Sequence, residues 1–139
     1  MVSPEQIEKR FKELIDLFPS PYKEIFDKAI SEHKLVIWTD SKKIDEYQQL
    51  FGKIRIAGSI NGNLFFRLDR ITEDILDKVI IHELIHFYLE QRDGLGYKDF
   101  QSWLKIDLLE KAKTERLIQQ NEMEAQLLTQ QVLNKIGKS

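Results

Sequence analysis

Cysteine is absent from this chain of 139 residues, so neither a disulfide nor a thiolate metal site can form. An excess of one charge is absent as well, because 21 basic residues stand against 23 acidic ones and no basic stripe interleaved with aromatic residues occurs. This balance argues against nucleic acid and against an anionic membrane surface as partners. Any zinc ion in this protein must be held by histidine and carboxylate groups.

Long apolar runs are also missing. No segment approaches the run of about 18 apolar residues that would indicate a transmembrane helix. The N-terminal stretch Met1–Gln6 lacks both the basic start and the apolar run of a signal peptide. We therefore expect one cytoplasmic domain over residues 1–139, large enough to bury a core without covalent staples.

Proline is scarce, and all three prolines lie near the N-terminus. Pro4 follows the N-cap candidate Ser3, and the apolar spacing after it predicts a first helix to about Phe18. Pro19 ends that helix. Ser20-Pro21 begins a second helix in the same manner, to about Glu32.

The middle of the chain has the pattern of a small sheet. Three runs rich in β-formers predict strands, Lys34–Asp40, Lys53–Ile60 and Leu64–Leu68. The last two are joined across Asn61-Gly62, the strongest short signal for a hairpin. The segment Lys42–Gly52 has helix-like apolar spacing and is expected to form a short helix or a loop resting on the sheet.

The C-terminal half is predicted to be helical. A central helix should begin at the capping residue Thr72, run to about Gln91 and stop at the glycines of Gly94–Gly96. After Tyr97 the pattern is helical to about Ile136, with a break expected near Lys113-Thr114 because a helix of nearly forty residues is improbable in a globular domain. The predicted fold class is α+β, with two N-terminal helices, a three-stranded sheet with a hairpin, a central helix and C-terminal helices.

The central helix carries the sequence His82-Glu83-Leu84-Ile85-His86, which is an HExxH motif. Two imidazoles four residues apart lie on one face of a helix and can reach the same zinc ion, while Glu83 can reach a water bound to that ion. The alternative is a pair of ordinary histidines on a partly buried helix. The flanking residues are apolar almost all round, and a carboxylate and two imidazoles buried there would be costly unless paired or bound to metal. We therefore interpret the motif as a zinc site.

A catalytic zinc ion needs a third protein ligand and an open position for water. The extension HExxHxxGxxH is excluded, because Leu89 and Arg92 occupy its two further positions. His33 is the only other histidine, and at its place before the first strand it is more typical of a surface residue. Carboxylates are the remaining candidates.

The segment Asn121–Gln126, with the sequence NEMEAQ, resembles the gluzincin metallopeptidases when taken together with HExxH. A later helix of that family supplies a glutamate through patterns such as N-E-x-x-x-D or E-x-E-A-D. The resemblance implies that Glu122 is the third zinc ligand, rather than a solvated helix carboxylate, and that Glu124 faces elsewhere. Gln126 departs from the family, which usually has an aspartate there that orients a zinc histidine.

The chain is also similar to SprT-like zincins, through Ala57-Gly58, the strand Asn63–Phe66 and the segment Asp93–Phe100. In those proteins a D-G-H-G-x-x-F segment after the motif supplies the third histidine. Here Leu95 or Tyr97 stands at that position, so this route to a ligand is lost. The two resemblances together cover roughly residues 34–130 and imply the minimal gluzincin type.

The resemblance implies a zinc metallopeptidase, an endopeptidase in which Glu83 accepts the proton of a zinc-bound water and then donates it to the leaving amine. Tyr97 is our candidate for stabilising the oxyanion, with Tyr88 and His33 behind it; the alternative for each tyrosine, and the more usual role, is an ordinary packed side chain. The expected cofactor is Zn²⁺. The expected partner is a peptide or an unstructured protein.

The substrate is expected to add to an exposed sheet edge, for which we predict the strand Leu64–Leu68, with Arg67 and Arg70 as contacts at the rim or as solvated side chains. A cleft in so small a domain predicts one of two arrangements: either the substrate is unstructured, or a cover, Gln130–Ser139 or the first helix, keeps the enzyme latent until it is displaced. The alternative is a non-catalytic, zinc-stabilised interaction or regulatory module. The intact Glu83 argues against that alternative, whereas Gln126 favours it.

Overall fold

The structure of the chain is a computed structural model that describes residues 2–51, 56–60, 62–93, 108–135 and 137. Within these residues the fold is α+β, as predicted, with five α-helices and a three-stranded mixed sheet. The elements in chain order are α1 (Pro4–Leu17), α2 (Tyr22–Ser31), β1 (Val36–Trp38), α3 (Ser41–Phe51), β2 (Ala57–Ile60), β3 (Asn63–Phe66), a 3₁₀ turn (Leu68–Arg70), α4 (Leu76–Asp93) and α5 (Leu108–Lys135).

The first helix begins where the sequence predicts. Ser3 forms a capping box with Gln6, in which the Ser3 amide donates to Oε1 of Gln6 at 2.8 Å and the Gln6 amide donates to the Ser3 hydroxyl at 3.2 Å. Phe18 is the C-cap, and its ring meets that of Phe26 in α2 edge-on, with centroids 5.1 Å apart. The two N-terminal helices therefore pack on each other as well as on α4.

An ion pair links α1 to the first turn of α4. The guanidinium of Arg10 donates to both carboxylate oxygens of Asp77, at 2.7 and 2.8 Å. Asp77 is 8% exposed, so this bidentate pair is only partly screened by water. It fixes the position of α1 relative to the start of the central helix.

The strand order is β1-β3-β2, with β3 parallel to β1 and antiparallel to β2. The predicted hairpin is confirmed by the pairing of Ile60 with Asn63 across a two-residue turn, of which Gly62 is described and Asn61 lies outside the described residues. Gly62 has a φ of +84°, a conformation that favours glycine.

The prediction that the strand Leu64–Leu68 forms the exposed edge is wrong. It corresponds to β3, which is the middle strand of the described sheet, and its Leu64, Phe65 and Phe66 are fully buried. Three consecutive buried residues indicate a strand that is covered on both faces. A strand with one face exposed to solvent would instead alternate buried and exposed side chains. The edges are β1 and β2, and β2 is the edge that packs against α4.

The segment between β1 and β2, for which a helix and a loop were both open, forms the helix α3. The Asp40 carboxylate accepts a hydrogen bond from the Lys42 amide at 2.9 Å and so supports its first turn. Ile44 is buried against Phe65, and the ring of Tyr47 lies 4.5 Å from that of Phe65. This helix covers the outer face of the sheet with its own small apolar cluster.

Arg67 belongs to this same contact and not to the rim of a substrate cleft. Its guanidinium donates to Asp45 at 3.0 Å and to Gln48 at 2.6 Å, both of them in α3. Arg70 is exposed at the end of the 3₁₀ turn. Arg67 therefore ties the end of β3 to α3.

The central helix begins at Leu76, four residues later than predicted. The amide of Ile75 donates to the carbonyl of Thr72, and the Thr72 hydroxyl donates to the Asp74 carboxylate, so Thr72 supports a tight turn and does not cap the helix. From Leu76 the helix continues for 18 residues, to Asp93, and includes residues 82–86. The following residues, 94–107, lie outside the described ranges.

The last helix continues through Lys113 and Thr114, so the predicted break there is wrong. It is 28 residues long and contains neither glycine nor proline, the residues that would interrupt it. Ala125, Val132 and Leu133 are buried and hold the helix against the core, chiefly along α4. Tertiary packing thus supports a helix longer than the average for globular proteins.

The central position of α4 follows from its apolar residues. It packs against α1, α2, β2 and α5, and Ile80, Ile81, Leu84 and Ile85 are fully buried. Burial of a leucine or isoleucine side chain contributes about 1.5–3 kcal/mol. In the described part of the chain, no helix has both the length and the apolar character that crossing a membrane requires.

We expect Gly62→Ala to destabilise the protein by more than about 2 kcal/mol, because it combines left-handed backbone strain with a steric clash. A Cβ atom at residue 62 would lie 2.0 Å from the backbone carbonyl oxygen of Lys34. Gly137→Ala is the matched control, since Gly137 has a φ of +79° but nothing within 4 Å of the added atom. Urea unfolding of both variants tests this, and equal losses would show that the clash at Lys34 does not matter.

Candidate metal centre

Three side chains from α4 and α5 converge on one point, and they are the three predicted metal ligands. The Nε2 atoms of His82 and His86 lie 3.0 Å apart. The two carboxylate oxygens of Glu122 lie 3.2 Å from Nε2 of His82 and 2.9 Å from Nε2 of His86. The helical spacing of the histidines and the packing of α5 on α4 therefore produce a compact triangle of donor atoms.

The geometry of this triangle fits a zinc ion. Ligands of a tetrahedral zinc site, each about 2.0–2.1 Å from the metal, are roughly 3.3 Å apart. The donor atoms here are 2.9–3.2 Å apart. Lone pairs at this separation repel one another unless a proton or a cation lies between them. Two imidazoles and one carboxylate are also a donor set that catalytic zinc sites use.

The electrostatics of His86 favour a ligand over a partner in a simple ion pair. Burial lowers the pKa of His86, and positive charge on His82 lowers it further, while Glu122 acts in the opposite direction. The pKa remains below its ordinary value, so the neutral imidazole predominates near neutral pH. A neutral imidazole has a free lone pair for a metal.

Thr129 is the residue of this centre that the sequence interpretation missed. Its hydroxyl donates to the carbonyl of Ala125 at 2.6 Å, and its oxygen lies 3.5 Å from Nδ1 of His82. A proton on Nδ1 that points at this oxygen leaves Nε2 free for a metal. The sequence could have indicated this contact, because Thr129 follows Glu122 by seven residues, or two helical turns, and so lies on the same face of α5. Gln126, which stands where the gluzincins have the aspartate that orients a histidine, is exposed in a cavity wall.

Glu83 is buried beside the three donors. The residue is 6% exposed, and Oε2 has no hydrogen-bond partner within the described structure. Burial raises the pKa of Glu83 to about 8, with smaller contributions from the negative charges of Glu90 and Glu122. A buried carboxylate oxygen without a partner is costly, and a polar ligand at this point would supply what it lacks.

Two cavities flank the centre, and both are lined by Ala57, His82, Glu83 and Glu122. The Lys78 cavity has a volume of about 610 Å³, and its further lining includes Ile56, Ile75, Lys78, Val79, Gln126 and Gln130. The Asn121 cavity has a volume of about 450 Å³, and its further lining is Gly58, Ser59, His86, Glu90 and Asn121. The exposed wall of the first cavity is mostly apolar, whereas that of the second is more evenly divided between polar and apolar groups.

Asn121 resembles Glu83 in one respect. It is 5% exposed, and its Nδ2 atom is buried with no hydrogen-bond partner in the described structure. The Asn121 cavity therefore has a buried amide on its wall in addition to the carboxylate of Glu90, which receives a hydrogen bond from Ser59 at 3.5 Å. Polar backbone groups of a ligand would find partners on this side of the centre.

The other predicted site residues lie away from the centre or outside the described ranges. Tyr97, the candidate for the oxyanion, lies outside them. Tyr88 packs edge-on against Tyr22, with ring centroids 4.7 Å apart, and His33 is exposed in the turn after α2. Glu124 faces away from the centre, as predicted, and its carboxylate accepts two hydrogen bonds from Arg92, at 2.7 and 2.9 Å.

Comparison with known proteins identifies no relative. Separate comparisons with protein families, with curated proteins and with solved structures found no match. The resemblance to gluzincins and to SprT-like proteins therefore remains a prediction, and the functional interpretation depends on the geometry of the centre.

We expect Zn²⁺ to bind to this centre and Glu122→Gln to weaken binding more than about 100-fold, because loss of a direct ligand should exceed the 10- to 100-fold effect of residues behind the ligands. Glu124→Gln is the matched control, since Glu124 lies two residues further along α5 and pairs with Arg92. Competition with a chromogenic chelator measures both affinities. Similar affinities for the two variants would exclude Glu122 as a ligand.

We expect Glu83→Gln to stabilise the metal-free protein in a pH-dependent manner. Because the folded-state pKa of Glu83 is raised to about 8, the stability associated with its protonated form is present below about pH 4.5 and is lost as the pH rises to 8. Glutamine does not titrate, so the variant should exceed the wild type by on the order of a few kcal/mol at pH 8 and differ little at pH 4.5.

Urea unfolding in the presence of a chelator, over this pH range, tests the prediction. The groups that face Glu83, namely His82, His86, Glu90 and Glu122, are the same in both proteins, so the difference between the two curves reports on Glu83. Parallel curves would contradict the burial of an unpartnered carboxylate.

Proposed function

We propose that this protein is a zinc-dependent metallopeptidase that hydrolyses peptide bonds, with Glu83 as general base and then general acid. The observation that supports this most strongly is the buried carboxylate of Glu83, whose Oε2 has no partner in the described structure, beside the convergent donors of His82, His86 and Glu122. Metal binding accounts for the convergence of His82, His86 and Glu122, and a role as general base accounts for the buried Glu83 beside them.

His82, His86 and Glu122 would hold the zinc ion through two imidazole nitrogens and a carboxylate. When bound, Zn²⁺ supplies a Lewis acid that polarises the scissile carbonyl and acidifies the attacking water. A proton on Nδ1 of His82, directed at the Thr129 hydroxyl 3.5 Å away, would leave Nε2 free for the ion, and the lowered pKa of His86 favours its neutral ring. These features prepare both histidines as ligands without any change of fold.

Glu83 then performs the proton transfers. Its carboxylate accepts a proton from the attacking water, and the buried position holds that proton until it is passed to the leaving amine. Burial excludes competing water from this oxygen and places the carboxylate in an environment where it binds a proton more readily than in solution. A site that merely held helices together would have no use for such a group, and its burial would only reduce stability.

The substrate is proposed to lie along β2. This strand is an edge of the described sheet, and its Ala57, Gly58 and Ser59 line the two cavities beside the centre. An extended peptide that pairs with β2 would pass Glu83 and the metal ligands and would extend into both cavities. Tyr97 remains our prediction for the residue that stabilises the oxyanion.

Latency of the enzyme also remains a proposal, and the positions of the two suggested covers differ. The described residues that line the cavities include Gln130 but none from α1. Of the two suggested covers, the C-terminal segment that begins at Gln130 is therefore the one next to the Lys78 cavity. The first helix instead packs against α2 and α4.

We expect Glu83→Gln to lower the rate of peptide hydrolysis by about 100- to 10,000-fold, the usual contribution of a positioned acid or base, with zinc content unchanged. Cleavage of an unstructured protein such as casein, followed by mass spectrometry, measures the rate. Glu124→Gln should cleave at the wild-type rate, because its carboxylate pairs with Arg92 away from the centre.

The competing function is a non-catalytic module in which zinc stabilises the packing of α4 and α5. In that case the wild-type protein binds one zinc ion but does not cleave unstructured protein. Under that hypothesis Glu83→Gln would retain its zinc ion and its fold, and there would be no cleavage activity for the substitution to remove.

A further inference from the structure

The walls of the two cavities carry an uneven distribution of charge. Glu83, Glu90 and Glu122 contribute carboxylates, and among the described lining residues Lys78 is the one lysine or arginine. Lys78 is exposed, and no ion pair to it occurs within the described part of the chain. Its aliphatic stem can lie along the apolar wall while its ammonium group stays at the mouth of the cavity.

The direction of the chain along the cleft is set by β2. Ile56 and Ala57 line the Lys78 cavity, and Gly58 and Ser59 line the Asn121 cavity, so β2 runs from the first cavity towards the second. A peptide that pairs antiparallel with this edge, the slightly more stable arrangement, runs the opposite way. The residues on the C-terminal side of the scissile bond then enter the Lys78 cavity.

The charges agree with this direction. The N-terminal side of the peptide, with any free amine, would lie in the Asn121 cavity beside Glu90, and the C-terminal side would approach an ammonium group. Opposite charges at the two ends therefore match the polarity of a peptide that lies antiparallel to β2.

The distance identifies the position in the substrate. Lys78 precedes His82 by one helical turn on the same face of α4, which is about 6 Å along the helix axis. Two residues of an extended peptide cover about 7 Å. A carboxylate on the second residue after the scissile bond is therefore level with Lys78.

On the basis of the proposed peptidase function, we propose that Lys78 selects substrates that carry a carboxylate on the second residue to the C-terminal side of the cleaved bond. The carboxylate is either the free C-terminus of a peptide, which would make the product a dipeptide, or an aspartate or glutamate side chain. The mostly apolar wall of the Lys78 cavity accommodates the intervening apolar residue.

The test uses one zinc-loaded protein and a set of matched peptides with leucine after the intended cleavage site. Each peptide ends at the next residue. In three peptides this residue is aspartate, asparagine or lysine, and the C-terminus is amidated. In two further peptides it is alanine, with either a free or an amidated C-terminus. Mass spectrometry gives the cleavage position and kcat/KM for the wild type. Binding of the same peptides to the Glu83→Gln variant gives a Kd that does not depend on turnover.

We expect the aspartate peptide or the free carboxylate peptide to be preferred over its neutral match by up to about fivefold, the effect of a solvent-exposed ion pair. Lys78→Glu should reverse the order, so that the lysine peptide is preferred, and high salt should reduce both preferences. Lys12→Glu is the control with the same change of net charge, because Lys12 is exposed on α1 and lines neither cavity. Comparing the two acidic peptides distinguishes a side-chain carboxylate from a terminal one.

Equal cleavage of all the peptides, or equal effects of the Lys78 and Lys12 variants, would overturn carboxylate selection and leave the peptidase function standing. A carboxylate preference in binding that is lost in Lys78→Glu, without any cleavage by the wild type, would support the recognition and overturn the peptidase function. If the peptides show no binding preference and the wild type cleaves none of them, both the carboxylate selection and the peptidase function are overturned.

Discussion

The packing of α5 against α4 is the contact on which the metal centre depends. A single helix positions His82 and His86, but Glu122 reaches them only because the two helices lie close together. Ala125, a small residue that is fully buried, permits this approach. Arg92 and Glu124 also form an ion pair between the two helices, but it is exposed and contributes little to stability, on the order of 1 kcal/mol or less.

The sequence predicted the features that depend on neighbouring residues. The N-cap at Ser3, the hairpin at Gly62 and the histidine pair of α4 each arise within a few residues of chain, so their patterns are visible before any fold is known. Glu122 needed a family resemblance in addition. Features decided by distant contacts were predicted wrongly or not at all: the middle position of β3 and the contact of Thr129 with His82 depend on which elements become neighbours.

The centre lowers the stability of the fold around it. Glu83 and Asn121 each place a polar atom without a described partner in a buried position, where an unmade hydrogen bond costs about 1–3 kcal/mol. For Glu83, this cost is offset by its own helix, in which Ile80, Ile81, Leu84 and Ile85 are fully buried. The helix that carries the unpartnered carboxylate is thus also one that contributes strongly to the described core.

The pair of Arg10 and Asp77 links two regions that are far apart in the sequence. Asp77 precedes Lys78, so the bidentate contact that holds α1 also holds the turn of α4 at the mouth of the Lys78 cavity. The N-terminal helix is therefore anchored at the turn of α4 that lines the Lys78 cavity, one helical turn before the first of the two histidines.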